Sequence, residues 1–162
     1  MKAASPIRNS ADLDDLRRQI QPLVGELCWR ARLAYADELK LDIGAKVPYK
    51  SAKMKGLRKG SWTLGSRGTS WTLDSEEGTI SSRSRRSIIE ASLRELRGVV
   101  TAVSIGYRQL DLQVRFENNW ILTIEHRPGQ PTYDLPYWEV FTPKGACIRA
   151  GPGRRWSKGR LG

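Results

Sequence analysis

The chain carries one histidine, two cysteines and scattered carboxylates, so the residues that most often do chemistry can be taken in turn. His126 stands in "TIEHRPG", in phase with Trp120, Leu122 and Ile124. Nucleophilic hydrolysis needs a base beside the nucleophile and an acid that orients the base. Glu125 is the neighbouring acid, but successive strand residues point to opposite faces, so the two cannot cooperate directly. His126 is therefore expected to be structural. Cys28 and Cys147 have neither a CxxC spacing nor a nearby histidine, which leaves no zinc or redox pattern and makes both small apolar fillers. No catalytic residue, metal ligand or cofactor is expected, and the protein reads as a non-enzyme.

Two glycine motifs lie close to arginines. "GSRG" (residues 65–68) could form part of a phosphate-binding turn, and "AGPGRRW" (150–156) could let backbone approach an anion. Neither has the Lys-Ser or Lys-Thr of a P-loop nor the strand-to-helix setting of a dinucleotide fingerprint. A hairpin turn is the expectation for "GSRG".

Charge is the stronger signal. The net charge is +11, from 28 basic and 17 acidic residues. Residues 44–62 carry Lys46, Lys50, Lys53, Lys55, Arg58 and Lys59 without one acid, and residues 143–162 carry Lys144, Arg149, Arg154, Arg155, Lys158 and Arg160, again without an acid. Taking those 12 from 28 leaves 16 basic residues against 17 acidic ones, so the surplus is confined to two segments. Localised charge of one sign points to a polyanion-facing surface. Tyr49, near the first group, and Trp156, within the second, are candidate stacking platforms. "SSRSRR" (81–86) reads as a polar linker.

The elements that must position these residues show an internal repeat. Leu16, Ile20, Leu23 and Gly25 match Ile89, Leu93, Leu96 and Gly98 at a constant separation of 73, as expected if a duplicated unit underlies the fold. The second copy, "SIIEASLRELRG", has Ser87 and Glu90 at capping-box spacing and Gly98 as a stop. In the first, Ser10 is the expected cap, Asp12, Asp14 and Asp15 suit the positive end of the helix dipole, and Pro22 ends the helix.

Alternating strands follow each helix. Leu27, Trp29, Ala31, Leu33 and Tyr35 form one apolar face, matched by Val99, Thr101, Val103, Ile105 and Tyr107; Arg30 and Arg32 point the other way. Leu39, Leu41 and Ile43 are matched by Leu110, Leu112, Val114 and Phe116. Such a period of two describes antiparallel strands with one buried face. "SWTLGSRGTSWTL" (61–73) is expected to be a hairpin and aligns with "YWEVFTPKGACIR" (137–149), placing Trp62 with Trp138. Between these, the second half has the strand "NWILTIEH" where the first has the lysine-rich segment.

The expected fold is α+β, a single domain over 1–162. Two duplicated helix-plus-antiparallel-meander halves, 10–74 and 84–150, form one bent sheet or small barrel, and a basic tail occupies 151–162. The expected core includes Trp29, Leu33, Leu41, Trp62, Leu64, Val103, Leu112, Trp120, Leu122 and Trp138. No apolar run approaches the ~20 residues of a membrane span, and "MKAASPIRNSADLDD" lacks the continuous apolar stretch of a signal peptide. No membrane partner and a cytoplasmic location are the expectation.

Residues 98–153, with "RFENNWILTIEH", "YDLPYWEVFTP" and a Gly-Pro-Gly end, resemble small bacterial proteins of the immunity type. That resemblance implies a single-domain inhibitor that occludes a toxin, with Phe116, Asn118, Trp120 and Trp138 as fold determinants. Like charges oppose docking, so a blocker this basic implies an acidic protein partner.

The primary expectation is nucleic-acid binding by phosphate neutralisation through Lys46, Lys50, Lys53, Lys55, Arg58, Lys59, Arg149, Arg154, Arg155, Lys158 and Arg160. No helix-turn-helix, RNP or zinc-finger pattern supplies base reading, so recognition is expected through backbone or shape.

Overall fold

The computed structural model describes residues 4–127 and 134–160. Its strands are β1 (Ser5–Pro6), β2 (Leu27–Leu33), β3 (Leu39–Pro48), β4 (Arg58–Ser66), β5 (Ser70–Ser75), β6 (Gly78–Ser81), β7 (Gly98–Ile105), β8 (Leu112–Phe116), β9 (Ile121–Glu125), β10 (Trp138–Phe141), β11 (Ala146–Ala150) and β12 (Arg155–Arg160); its α-helices are α1 (Asp14–Ile20) and α2 (Arg86–Glu95). The strands form one antiparallel sheet in the order β1-β12-β11-β10-β4-β3-β2-β7-β8-β9-β5-β6. That order does not return on itself, so the sheet is open.

Both expected helices are present, with caps other than those expected. A 3-10 turn at Ser10–Leu13 leads into α1 and is capped by Asn9, not Ser10: Asn9 Oδ1 accepts the Asp12 N–H at 3.2 Å, and the Asp12 carboxylate accepts the Asn9 N–H. A second 3-10 turn, Gln21–Leu23, contains Pro22 and ends the helix. α2 starts at Arg86 with no side-chain cap. Ser87 is thus already inside the first turn, and Glu90 pairs with Arg86 at 2.9 Å rather than closing a capping box. Leu16 and Ile20 of α1 and Ile89 and Leu93 of α2 bury the apolar stripes that the 3.6-residue period sets out.

The doubled "SWTL" is not a hairpin. Both copies are strands, but β4 pairs with β3 and β10 whereas β5 pairs with β9 and β6, and five strands lie between them in the sheet. "GSRG" spans a crossover, with the Arg67 and Gly68 N–H groups donating to the carbonyls of Tyr137 and Pro136. The aligned stretch is a hairpin: β10 pairs with β11 from Trp138↔Ala150 to Phe141↔Cys147. Pairing alternatives of this kind share one period of two, so alternation alone does not choose the partner strand.

A bulge changes the buried face of β2. Pairing to β3 passes from Cys28↔Ile43 to Arg30↔Asp42, which makes Trp29 the extra residue. An extra residue inverts the alternation. Cys28 and Ala31 therefore lie in the core, Leu27 and Tyr35 are exposed and Trp29 is half-buried. β7 behaves alike: its register shifts between Val100 and Ala102, Val100 is buried and Thr101 exposed. Of the expected core, Leu41, Trp62, Leu64, Leu112, Leu122 and Trp138 are buried, while Leu33, Val103 and Trp120 are half-buried against it.

Residues 155–160 are not a free tail, because β12 pairs with β11 over five positions and with β1 over two. The expected tail ends at 161 and 162, outside the described residues, as do 128–133 of the region resembling immunity-type proteins. Among the described residues no helix is long and apolar enough to cross a membrane.

Candidate nucleic-acid interface

β3 and β4 are longer than their neighbours' pairing. β2 is in register with β3 only as far as Cys28↔Ile43, and β10 with β4 only over Thr63–Ser66. Beyond Ile43↔Trp62 the two strands pair with each other alone, through Lys46↔Gly60, Val47↔Lys59 and Pro48↔Arg58. This two-stranded arm, with its connection at 49–57, bears Lys46, Lys50, Lys53, Lys55, Arg58 and Lys59. All are exposed except the half-buried Lys59. The connection is shaped by a 3-10 turn at Ala52–Met54, capped by the Ser51 hydroxyl, and by Gly56 at φ +85°. Leu57, 53 % exposed, lies beside Arg58.

The arm's root is built from buried polar contacts. Asp42 on β3 has no exposed surface; its Oδ1 accepts the Gly60 N–H at 2.9 Å and its Oδ2 accepts Arg30 Nε at 2.7 Å. Arg30 Nη2 donates in turn to the Arg58 carbonyl at 3.0 Å. A hydrogen-bonded partner is what lets a carboxylate lie buried. A Cβ at Gly60 would stand 2.3 Å from Ile43 N and 2.5 Å from the Trp62 carbonyl oxygen, so only glycine fits this close crossing of β3 and β4. The bulge residue Trp29 lies at the same root, with Lys46 Nζ 4.8 Å and the Arg30 guanidinium 5.0 Å from its ring centroid.

The structure keeps the first basic group together and divides the second. By register, Arg160 is level with Ala146, one step beyond the Thr63 row, but β11 and β10 lie between it and the arm's root on β4, whereas Arg154 and Arg155 lie past the opposite end of the β4 pairing. Lys158 points to the helix side and donates to Gln19 Oε1 at 2.8 Å. Arg149 is held by Glu139 at 3.3 Å within a chain that continues to Arg67 and Glu38. Trp156 is only 7 % exposed and packs in the core, because its strand position faces inward opposite Ala150; it offers no ring face for stacking. Tyr49 is half-buried, with Lys59 Nζ 5.6 Å from its ring centroid.

Sequence reasoning passed over Trp29, Arg30, Arg32 and Lys40. Arg32 faces Lys40 directly across β2 and β3, on the side of the sheet opposite Leu39 and Leu41. The signal was available in the pointing of Arg30 and Arg32 away from the apolar face; what was missing was that β3 brings Lys40 and the arm to that same side.

The remaining candidates lie outside the arm. His126 stacks on Tyr137 with ring centroids 4.5 Å apart and planes 14° from parallel. Both cysteines are buried and unpaired; burial raises the Cys28 thiol to about 12 and raises Cys147 as well. Asn118 Nδ2 donates to the Arg97 carbonyl and its Oδ1 accepts the Trp120 N–H, so it shapes the β8–β9 turn. No family model, curated protein or solved structure matches the chain.

Proposed function

We propose that the protein is a non-enzymatic binding protein that holds nucleic acid through the β3–β4 arm. The observation that carries this reading is the arm itself: a two-stranded ribbon, unpaired on either side, with six cations and no acid. A ribbon of this width fits a nucleic-acid groove. Its side chains are lysines and one arginine without an array of amide readers, which favours contact with the phosphate backbone. Six phosphate contacts give an affinity that falls on the order of a thousandfold between 50 and 200 mM salt.

Retention of the full chain on duplex and single-stranded oligonucleotides at rising salt tests this. Binding at low salt, with a log–log slope reduced by about 3 to 4 when Lys53, Lys55, Arg58 and Lys59 are replaced by alanine, is the expected result. Absence of binding at low salt, or no change in the variant, would overturn it. An acidic protein partner, the second reading, rests on the same charge; saturable binding to one acidic protein that persists after nuclease treatment would favour it.

We also infer that the fold arose from two duplicated halves, each giving its last hairpin to the other's side of the sheet. Outward from the β2–β7 contact, the order runs β3, β4, β10, β11 on one side and β8, β9, β5, β6 on the other. Leu27 pairs with Val99, its own counterpart at a separation of 72, and the bulge residues Trp29 and Thr101 have that same separation. Trp71 Nε1 donates to the Asp37 carbonyl and Trp138 Nε1 to the Leu110 carbonyl, each at 2.8 Å, and those acceptors are 73 apart. This pairs Trp71, not Trp62, with Trp138. On this reading the arm is the one large difference between the halves, since β8 and β9 are joined by a short turn.

A further inference from the structure

The face of the sheet turned away from the core carries a row of side chains across five strands: Arg32, Lys40, Gly65, Glu139 and Arg149 are successive partners on β2, β3, β4, β10 and β11. Two cations, Arg32 and Lys40, stand directly opposite each other, an arrangement that costs stability when nothing lies between them. Lys40 is half-buried and makes no hydrogen bond or ion pair to a described residue. Arg32 Nε is buried without a hydrogen bond and reaches Asp42 only at 4.0 Å, while that carboxylate is already engaged by Arg30 and the Gly60 N–H.

The surrounding acids are shared with other cations and offset this pair only in part, Asp42 reaching Arg32 at 4.0 Å. Glu38 and Glu139 are both held by Arg67, Glu139 also by Arg149, and Glu90 of α2, which borders Arg32, is held by Arg86. Gly65, having no side chain, borders a depression of about 190 Å³ beside Lys40, lined also by Glu38, Thr63, Arg67, Glu139 and Phe141. Burial depresses the Lys40 ammonium below its ordinary range, and repulsion from Arg32 and then Lys59 acts in the same direction, with Asp42 and Glu139 opposing. Lys59 lies further along β4, where the arm leaves the sheet.

We propose that Arg32 and Lys40 hold a backbone phosphate of the bound nucleic acid, so that the strand passes from the arm onto the outer face of β2 and β3. This rests on the arm's being the nucleic-acid contact, and it adds a built oxyanion site to an otherwise solvated ribbon. The like-charged pair is then a stored cost that the ligand's negative oxygens relieve.

Two measurements on the intact chain test the site. In thermal unfolding, inorganic phosphate is compared with chloride at equal ionic strength, because phosphate stabilises proteins generally and only the difference between variants is informative. Lys40→Met is expected to melt no lower than wild type in chloride, since it removes a repulsion, and to lose the saturable part of the phosphate response; Lys40→Arg is expected to retain it. In oligonucleotide binding, K40M and R32M are each expected to lower the salt slope by about 1. An equal phosphate response in wild type and K40M overturns the site. A phosphate response that depends on Lys40 with unchanged oligonucleotide binding also overturns it, because the site would then take a free oxyanion. Failure of wild type to bind any oligonucleotide overturns the arm reading instead, and is distinguished by that.

Discussion

Asp42 does more for the arm than any of the arm's own cations. Its carboxylate, wholly buried, fixes Gly60 and Arg30, and Arg30 fixes the Arg58 carbonyl, so one side chain anchors β4 where it leaves the sheet. Asp42→Asn leaves the Arg30 guanidinium without its counter-charge. The expected loss is about 1.5 to 3 kcal/mol, that of a hydrogen bond to a charged group, because the Arg30 left behind is partly solvated. Denaturant titration of the variant measures it. Gly60→Ala is expected to destabilise by more than Gly65→Ala, whose added methyl would meet only the Leu39 carbonyl oxygen at 3.1 Å. The thiols supply a second check at this scale. Reactivity follows the thiolate, and Cys28 is raised to about 12 while Cys147 is raised by burial. Neither is expected to react with a disulfide reagent at pH 8 in the native state, and both should react in denaturant. Lys40 adds a pH effect of known sign: its folded value is lowered, so the unfolded chain binds more protons between that value and 10.5. Its contribution therefore makes stability rise with pH through that window, a slope that K40M should remove.

At the scale of elements, the arm is separable from the sheet that carries it. Val47, Pro48, Arg58 and Lys59 pair only with one another and none is in the buried core. Replacing residues 47–59 by a short Asn-Gly type I′ turn, which suits a two-residue hairpin, is expected to leave the unfolding transition within about 1 kcal/mol of wild type, as for surface changes away from the core. The same replacement should abolish oligonucleotide binding. Loss of folding with the arm would mean that its root, not its tip, is the structural element. β12 is an opposite case: its inward Trp156 belongs to the core, so deleting residues 155–160 removes a strand and is expected to destabilise the whole sheet.

For the whole molecule, the crossed hairpins couple the two sides. Trp71 on β5 reaches the β2–β3 turn, and Trp138 on β10 reaches the stretch between β7 and β8. Each indole is buried, so its N–H must find an acceptor. Trp138→Phe is expected to cost about 1 to 3 kcal/mol, the cost of leaving the buried Leu110 carbonyl unpaired, and Trp71→Phe less at its hydrogen bond because Asp37 is exposed; unfolding should remain a single transition followed alike by fluorescence and circular dichroism.

The helices, most strands and the acid-free basic segment are legible in the sequence, because helix stripes, strand alternation and charge runs are local. Like residues at a spacing of 72 to 73 are legible too, and the proposed duplication rests on them. The rest is set by long-range pairing. Whether β4 meets β5 or β10 depends on pairing between strands far apart in the chain, and the two choices share the same alternation. The bulge at Trp29, which inverts the face of β2 and sends Cys28 inward, is one extra residue that no period announces. The opposed Arg32 and Lys40 lie eight positions apart in sequence, and stand together only because the β2–β3 register sets them opposite each other beside the side-chain-free Gly65.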